Sequence, residues 1–229
     1  QWDAQFVHPV REAIIVPDDA WRSTAEVATA IGYSYGDAFA RVIYTESHDE
    51  VANGKARVPQ EVDANDPTGW YAQKRSTIGA ALTLTSPGIP MLFQGQEFLQ
   101  GDYFRDDVPL DWAQNDDFQG IVRLYLGLIR LRRNLDGVSA GLSGQGAQVL
   151  HLNDETKVLA YHRWMNGGPN DDVVVVANMS HNSVSDYRIG MPPPGHWTLR
   201  LNSDAKDYSS DFADTDVFDV EADEEGTDD

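Results

Sequence analysis

The sequence contains no cysteine, and only four of its 17 basic residues are lysines: Lys55, Lys74, Lys157 and Lys206. The first absence excludes a disulfide scaffold, a thiol nucleophile and a thiolate metal site, while leaving the compartment open. Long apolar runs are missing too. Ile78 to Ser86 and Val173 to Ala177 fall well short of the roughly 20 residues needed to cross a bilayer, so no membrane span is expected. No charged stretch followed by an apolar core opens the chain, so no signal peptide is visible and a cytoplasmic location is expected. Nor is there a ligand spacing such as His-Glu-x-x-His; no metal and no other cofactor is expected.

What the sequence has in excess is acid: 37 aspartates and glutamates give a net charge of −20. That sign repels phosphate backbones and anionic lipid surfaces, so the expected partners include neither nucleic acid nor membrane. The excess of aspartate over glutamate and the scarcity of lysine point to a surface suited to high salt, the alternative being charge confined to the end of the chain. The stretch 221–229 reads as an acidic disordered tail. A hydrophobic content of 41% over 229 residues supports a sizeable core, and the length suggests two structural units of unequal size.

Apolar residues Phe6, Val7, Val10, Ala13 and Ile14 recur at helical spacing and stop before Pro17. Asp18 or Asp19 can cap a second helix carrying Trp21, Ala25, Val27, Ala28 and Ile31 and stopping at Gly32. Ala38 to Tyr44 reads as a buried strand ending in Thr45-Glu46-Ser47-His48-Asp49-Glu50, and Ile89 to Phe93 as another ending in Gln94-Gly95-Gln96-Glu97. Helices are predicted between and after them, over Gly69 to Thr85 and Phe118 to Asn134. That alternation argues for parallel βα units, in which chemistry sits at the C-terminal ends of the strands, where both polar clusters fall. Beyond Gly137 the pattern changes to short β runs: Gln148 to Leu152, Lys157 to Trp164, Val173 to Asn178, Trp197 to Leu201 and Asp216 to Val220. They predict an antiparallel β-sandwich. The expected division is an α/β unit over 1–136, the sandwich over 146–220 and the tail over 221–229.

Three carboxylates and an imidazole within Glu46 to Glu50 give acid/base and sugar-hydroxyl hydrogen-bonding capacity, though acidic loops are often merely solvated. Neighbours in sequence cannot converge as a Ser-His-Asp triad. At the tops of adjacent strands, Asp49 and Glu97 could stand the roughly 5 to 9 Å apart of a glycosidase pair; otherwise Glu97 is a structural carboxylate receiving loop backbone donors. Trp70, Tyr71, Tyr103, Phe104 and Trp112 follow these strands, where rings can stack on sugar faces or simply pack.

The run Tyr44-Thr45-Glu46-Ser47-His48-Asp49-Glu50-Val51, with Gly54-Lys55 after it, resembles the fourth sequence region of the α-amylase superfamily, and more closely its α-1,4-glucan branching enzymes. Met91-Leu92-Phe93-Gln94-Gly95-Gln96-Glu97-Phe98 with Leu110-Asp111-Trp112 looks like the eighth barrel strand and following loop of those enzymes. A weaker likeness to their C-terminal β domain runs from Asp186-Tyr187-Arg188-Ile189-Gly190 to Leu201-Asn202-Ser203-Asp204. The resemblance implies the C-terminal part of a (β/α)8 TIM barrel, about two βα units, followed by the sandwich. It implies a retaining enzyme acting on α-1,4-glucans of the starch or glycogen kind. Asp49 would be the carboxylate that stabilises the transition state, and His48 would bind the same sugar. The strands that carry the family's nucleophile and acid/base are not in this chain, so the N-terminal part of the barrel is an implied partner and the chain alone is expected to be inactive. α-Amylase-type hydrolysis is the near alternative to branching. A non-catalytic glucan-binding module is the alternative of another class.

Overall fold

Asp3 opens the first helix, α1 (Ala4–Ile15), by accepting a hydrogen bond from the Gln5 backbone N–H at 3.1 Å. Its buried face is the predicted one, Phe6, Val7, Val10, Ala13 and Ile14. The computed structural model describes residues 1–215 and 217–223. Asp18 caps a single turn, Asp19–Trp21, rather than a long helix. Ser23 then caps α2 (Thr24–Gly32), accepting from the Glu26 N–H at 3.2 Å. The break arises because buried Arg22 turns inward, donating to the carbonyls of Ala13 and Val16 and to the Asp19 carboxylate. Trp21 is left exposed instead of joining the helical face.

Strands β1 (Val42–Ile43) and β2 (Ile89–Pro90) are parallel neighbours, with Val42 opposite Ile89. On the other side of β1, Trp2 forms a parallel bridge to Val42, so three parallel segments lie side by side. Both strands are shorter than predicted. At the first, the Asp37 side chain takes the Phe39 N–H at 2.9 Å and winds Ala38–Ala40 into a one-turn helix. Between the strands lie α3 (Val58–Val62), which the polar sequence there concealed, and α4 (Trp70–Thr85). Gly88 returns the chain with φ +141°, where an added Cβ would meet Ile43 at 2.9 Å, so the β1–β2 approach requires glycine. After β2 come α5 (Trp112–Asp117) and α6 (Gln119–Arg132), the latter close to prediction.

The C-terminal carbonyls of α4 and of the turn after it are held by arginines from three different segments. Arg41 donates to Pro87, Arg132 to Leu84, Ser86 and Gly88, and Arg163 to Thr85. All three are buried. Arg41 also reaches the end of α2, at Ala30 O (2.9 Å) and Ile31 O (3.2 Å), and pairs with buried Asp3 at 3.2 Å. Burial pushes Arg132 and Arg163 down to about 10 and about 9, still charged at neutral pH.

The last third is antiparallel. β3 (Gly146–Asn153), β4 (Val158–Trp164) and β5 (Val173–Asn178) form one sheet in that order, with a register shift between Val149 and His151. β6 (Gly195–Trp197) pairs with β7 (Val220–Ala222) in a second. The expected antiparallel strands are present, but not as two sheets closing on one another over the main core. Leu159 and Tyr161 of β4 join Phe6, Val10, Val27, Ile31 and Leu82 in one cluster, so helices cover that face and the core crosses the expected boundary at 136–146. The strand predicted over Trp197 to Leu201 ends early because the Asp219 side chain takes the Leu199 N–H at 2.7 Å. The last strand falls at Val220–Ala222 rather than Asp216 to Val220. Glu221 and Ala222 are therefore paired strand, not the start of a disordered tail. Asp216 and residues 224–229 lie outside the described residues. Among the described residues no helix is long and apolar enough to cross a membrane.

Candidate functional site

The chain leaving β1 is fastened residue by residue. Thr45 accepts at its carbonyl from Arg11 (3.0 Å) and at its hydroxyl from the Gln96 amide (2.7 Å). Glu46 is fully buried; one oxygen accepts from the Val58 N–H at 2.6 Å and the other faces Arg57 Nη1 at 3.3 Å. Burial pushes the Glu46 carboxyl up against the opposing pull of Arg57, and pushes Arg57 down against the pull of Glu46. Ser47 closes the turn by accepting the Glu50 N–H at its carbonyl (3.0 Å), and Glu50 pairs with Lys55 at 3.2 Å.

Two side chains of this run face out. His48 and Asp49 stand 3.3 Å apart with side-chain exposures of 56% and 70%, free to meet a ligand on a backbone that cannot drift. The Trp2 ring meets the His48 ring edge-on at 5.6 Å. Both residues line an open cleft of about 590 Å³. Asn53 adds to it from the same turn, and Phe93, Gln94, Phe104, Arg105 and Asp106 come from the loops after β2. Phe93 and Phe104 meet edge to face at 5.2 Å. The cleft thus combines two carboxylates, an imidazole, a guanidinium and two rings, a set suited to sugar hydroxyls and sugar faces.

Glu97 is not part of it. Gly95 turns left-handed (φ +83°), where an added Cβ would sit 2.8 Å from Gln100. Gln94 therefore reaches the cleft, and Glu97 falls on the one-turn helix Gln96–Phe98 beyond. The cleft does not join it to Asp49 as a second carboxylate, and among the described residues its side chain makes no hydrogen bond. The loop-tying role expected of it belongs to Gln96, which accepts from the Phe93 N–H at 3.2 Å and donates to Thr45. Of the five aromatics singled out, Phe104 lines the cleft. Trp70 and Tyr71 pack on each other at 4.9 Å and Trp112 packs on Phe98 at 5.5 Å, while Tyr103 lies under Arg105. Sequence reasoning missed Arg57, Asn53, Phe93, Arg105 and Asp106. For Phe93 a signal existed, since it is the last apolar residue before the Gln94-Gly95 turn; Arg57 had none. Among the described residues no cluster of three or more His, Asp or Glu side chains could hold a metal ion.

Comparison with known proteins bears on both parts of the chain. Residues 149–227 match the family model described as the alpha amylase C-terminal all-beta domain. A 1,4-alpha-glucan branching enzyme from Pseudomonas syringae pv. syringae is 35% identical over 190 residues, covering 80% of this chain and 24% of the relative. One from Corynebacterium jeikeium is 29% identical over 216 residues, covering 91% of this chain and 29% of the relative. The chain spans about a quarter of the length of the curated relatives it matches. Among solved structures, the pullulanase from Anoxybacillus sp. LM18-11 superposes with a TM-score of 0.66 at 22% identity, covering 96% of this chain and 32% of that one. The same enzyme complexed with maltotetraose gives a TM-score of 0.58 at 21% identity, covering 88% and 30%. At that identity the likeness speaks for the fold alone. The chain belongs to the α-amylase superfamily. Within it, the sequence corresponds to a C-terminal portion of the branching-enzyme kind.

Proposed function

We propose that this chain is the C-terminal part of a retaining enzyme that transfers α-1,4-glucan chains to make branches. Residues 1–136 would supply about the last two βα units of a (β/α)8 barrel and the following residues its β domain. The parallel order Trp2, β1, β2, with helices between, supports that reading. The nucleophile and the acid/base come from outside this chain, so alone it binds glucan without turning it over. No cofactor takes part.

Asp49 is the carboxylate that stabilises the transition state, and His48 holds the same sugar. As the ring flattens toward an oxocarbenium ion, hydrogen bonds from its hydroxyls to a fixed carboxylate tighten, and such bonds contribute several kcal/mol. The observation that carries this is the clamped turn: Thr45, Glu46 and Ser47 are buried while His48 and Asp49 alone of the run enter the cleft. A carboxylate fixed before the substrate arrives spends nothing on reorganisation. Calorimetric titration with maltotetraose tests the site. The 229-residue chain should bind it, and Asp49→Ala should weaken binding about tenfold or more with an unchanged melting temperature. Equal affinity in the variant contradicts the assignment.

The Phe93–Phe104 pair favours one other reading, a glucan-binding module without chemistry. There, Phe104→Ala would abolish binding while Asp49→Ala would leave it intact.

A further inference from the structure

We infer that Arg57 is a positioning residue for this cleft: its one buried guanidinium ties the turn carrying His48 and Asp49 to the loop carrying Phe93 and Gln94, and so sets where a sugar meets both. The inference rests on the cleft being a glucan site. Nη1 of Arg57 serves two acceptors at once, Glu46 Oε2 at 3.3 Å and Gln94 O at 2.9 Å. The guanidinium carbon lies 4.9 Å from the centroid of the Phe93 ring, over its face. The Arg57 backbone N–H donates to Asp102 O at 2.8 Å, which fixes the chain just before Phe104. Its neighbour Val58 holds the second oxygen of Glu46.

The two hydrogen bonds and the ring contact of this side chain therefore end on segments that line the cleft or lead into it, while Arg57 itself, 2% exposed, is not among the lining residues. It does not touch the sugar. The arginines at the end of α4 differ, since none of their acceptors, mostly carbonyls and for Arg41 also the Asp3 carboxylate, is a residue that lines the cleft. Lysine cannot take over the task, because a compact ammonium on a flexible stem does not lie flat on the Phe93 ring and is not held in one place against both acceptors. It does keep the charge opposite Glu46, so Arg57→Lys removes the geometry and leaves the charge balance.

The test is an NMR titration of the 229-residue chain with maltotetraose, following the His48 imidazole and the Phe93 and Phe104 rings, beside a thermal melt. In the unsubstituted chain all three sets of signals should move along one saturation curve. Arg57→Lys should weaken binding about tenfold, in keeping with the cost of a small misplacement, and the ring signals should no longer follow His48, while the melt stays cooperative. If Arg57→Lys does not fold, Glu46→Gln decides instead, since it keeps the acceptor for Val58 and the side-chain volume; the same weakening is expected. Wild-type affinity with linked signals in the folded variant overturns the inference and leaves the glucan site standing. So does a smaller folded fraction that binds with unchanged affinity, the mark of a merely structural arginine. An unsubstituted chain that does not bind maltotetraose overturns the glucan reading and the inference with it.

Discussion

Arg57 beneath the cleft and Arg163 at the joint between α4 and β4 are both buried, yet their charges are met in different ways. Arg57 faces a buried carboxylate, Glu46, and shares one nitrogen between that carboxylate and a single carbonyl. Arg163 has no carboxylate partner among the described residues. It donates to the carbonyls of Thr85, Leu142, Gly144 and Gly146. Carbonyls at a helix C-terminus carry partial negative charge and lack intrahelical donors, so an arginine there satisfies both needs. The joint holds two units together through many weak acceptors. The cleft uses one strong pair to fix one distance, and removal of either partner there leaves a buried charge alone.

The largest effect that would sharpen this contrast is expected at the joint. Arg163→Met leaves four carbonyls in the interior without their donor and should cost about 3 kcal/mol or more in chemical denaturation. Arg130→Met, at an exposed pair with Asp136 (2.9 Å), should leave the transition where it is. Equal behaviour of the two variants would show that the joint does not depend on its buried arginines.

Salt should act next, and only on the surface. A net charge of −20 repels itself across the folded chain, and the Debye length falls from about 10 Å at 0.1 M to about 3 Å at 1 M. The melting temperature should therefore rise between about 0.1 M and 2 M KCl. Deleting residues 224–229 removes four carboxylates while sparing β7, and should leave most of that rise in place. No rise in either form refutes a surface suited to high salt; a rise confined to the full chain assigns it to the end of the sequence.

The smallest effect belongs to the outer sheet, where the charges are neither buried nor bound to carbonyls. His196 Nδ1 lies 2.6 Å from Glu221 Oε1, and its other nitrogen lies 3.5 Å from Asp219. The bond to Glu221, then its charge and that of Asp219, hold the imidazole above its usual value of 6.5. A base raised in the folded state contributes stability that is complete below its unfolded value and is lost as pH rises through the folded one. The Trp197 indole resonance should therefore be sharper near pH 5.5 than near pH 8.5, and His196→Gln should abolish the difference. A resonance indifferent to pH in the unsubstituted chain would remove the pair from the account.

Much of the fold was legible because it depends on period. The faces of α1 and α6 follow from spacing, since one side of each helix is buried, and the three long strands follow from their β-branched and apolar runs between turn signals. What was not legible depends on single side chains acting at a distance. Asp37 shortens β1 and Asp219 ends β6, each by capturing one backbone N–H, and Arg22 breaks the run before α2 by supplying three hydrogen bonds. The packing of β4 against the helices was hidden for another reason: the apolar run Val158 to Tyr161 states that the strand is buried without stating by what. At the site, the resemblance drew attention to His48 and Asp49, and the structure places both in the cleft. The option of Glu97 beside Asp49 took it to stand at the top of its strand, whereas the left-handed turn at Gly95 carries it onto the next helical turn, outside the cleft. Arg57 was invisible because its partner, Glu46, read as one more acid in an acidic loop.

Catalysis is the most direct measure of the central claim that the clamped turn exists to present Asp49 to a sugar. In an active chimera carrying this chain in place of the matching quarter of the Pseudomonas syringae relative, Asp49→Asn should lower the rate of branch formation by about 100-fold or more. The side chain is 70% exposed, so the melting temperature should not change. Branching at the unsubstituted rate by the folded Asp49→Asn chimera would contradict the account.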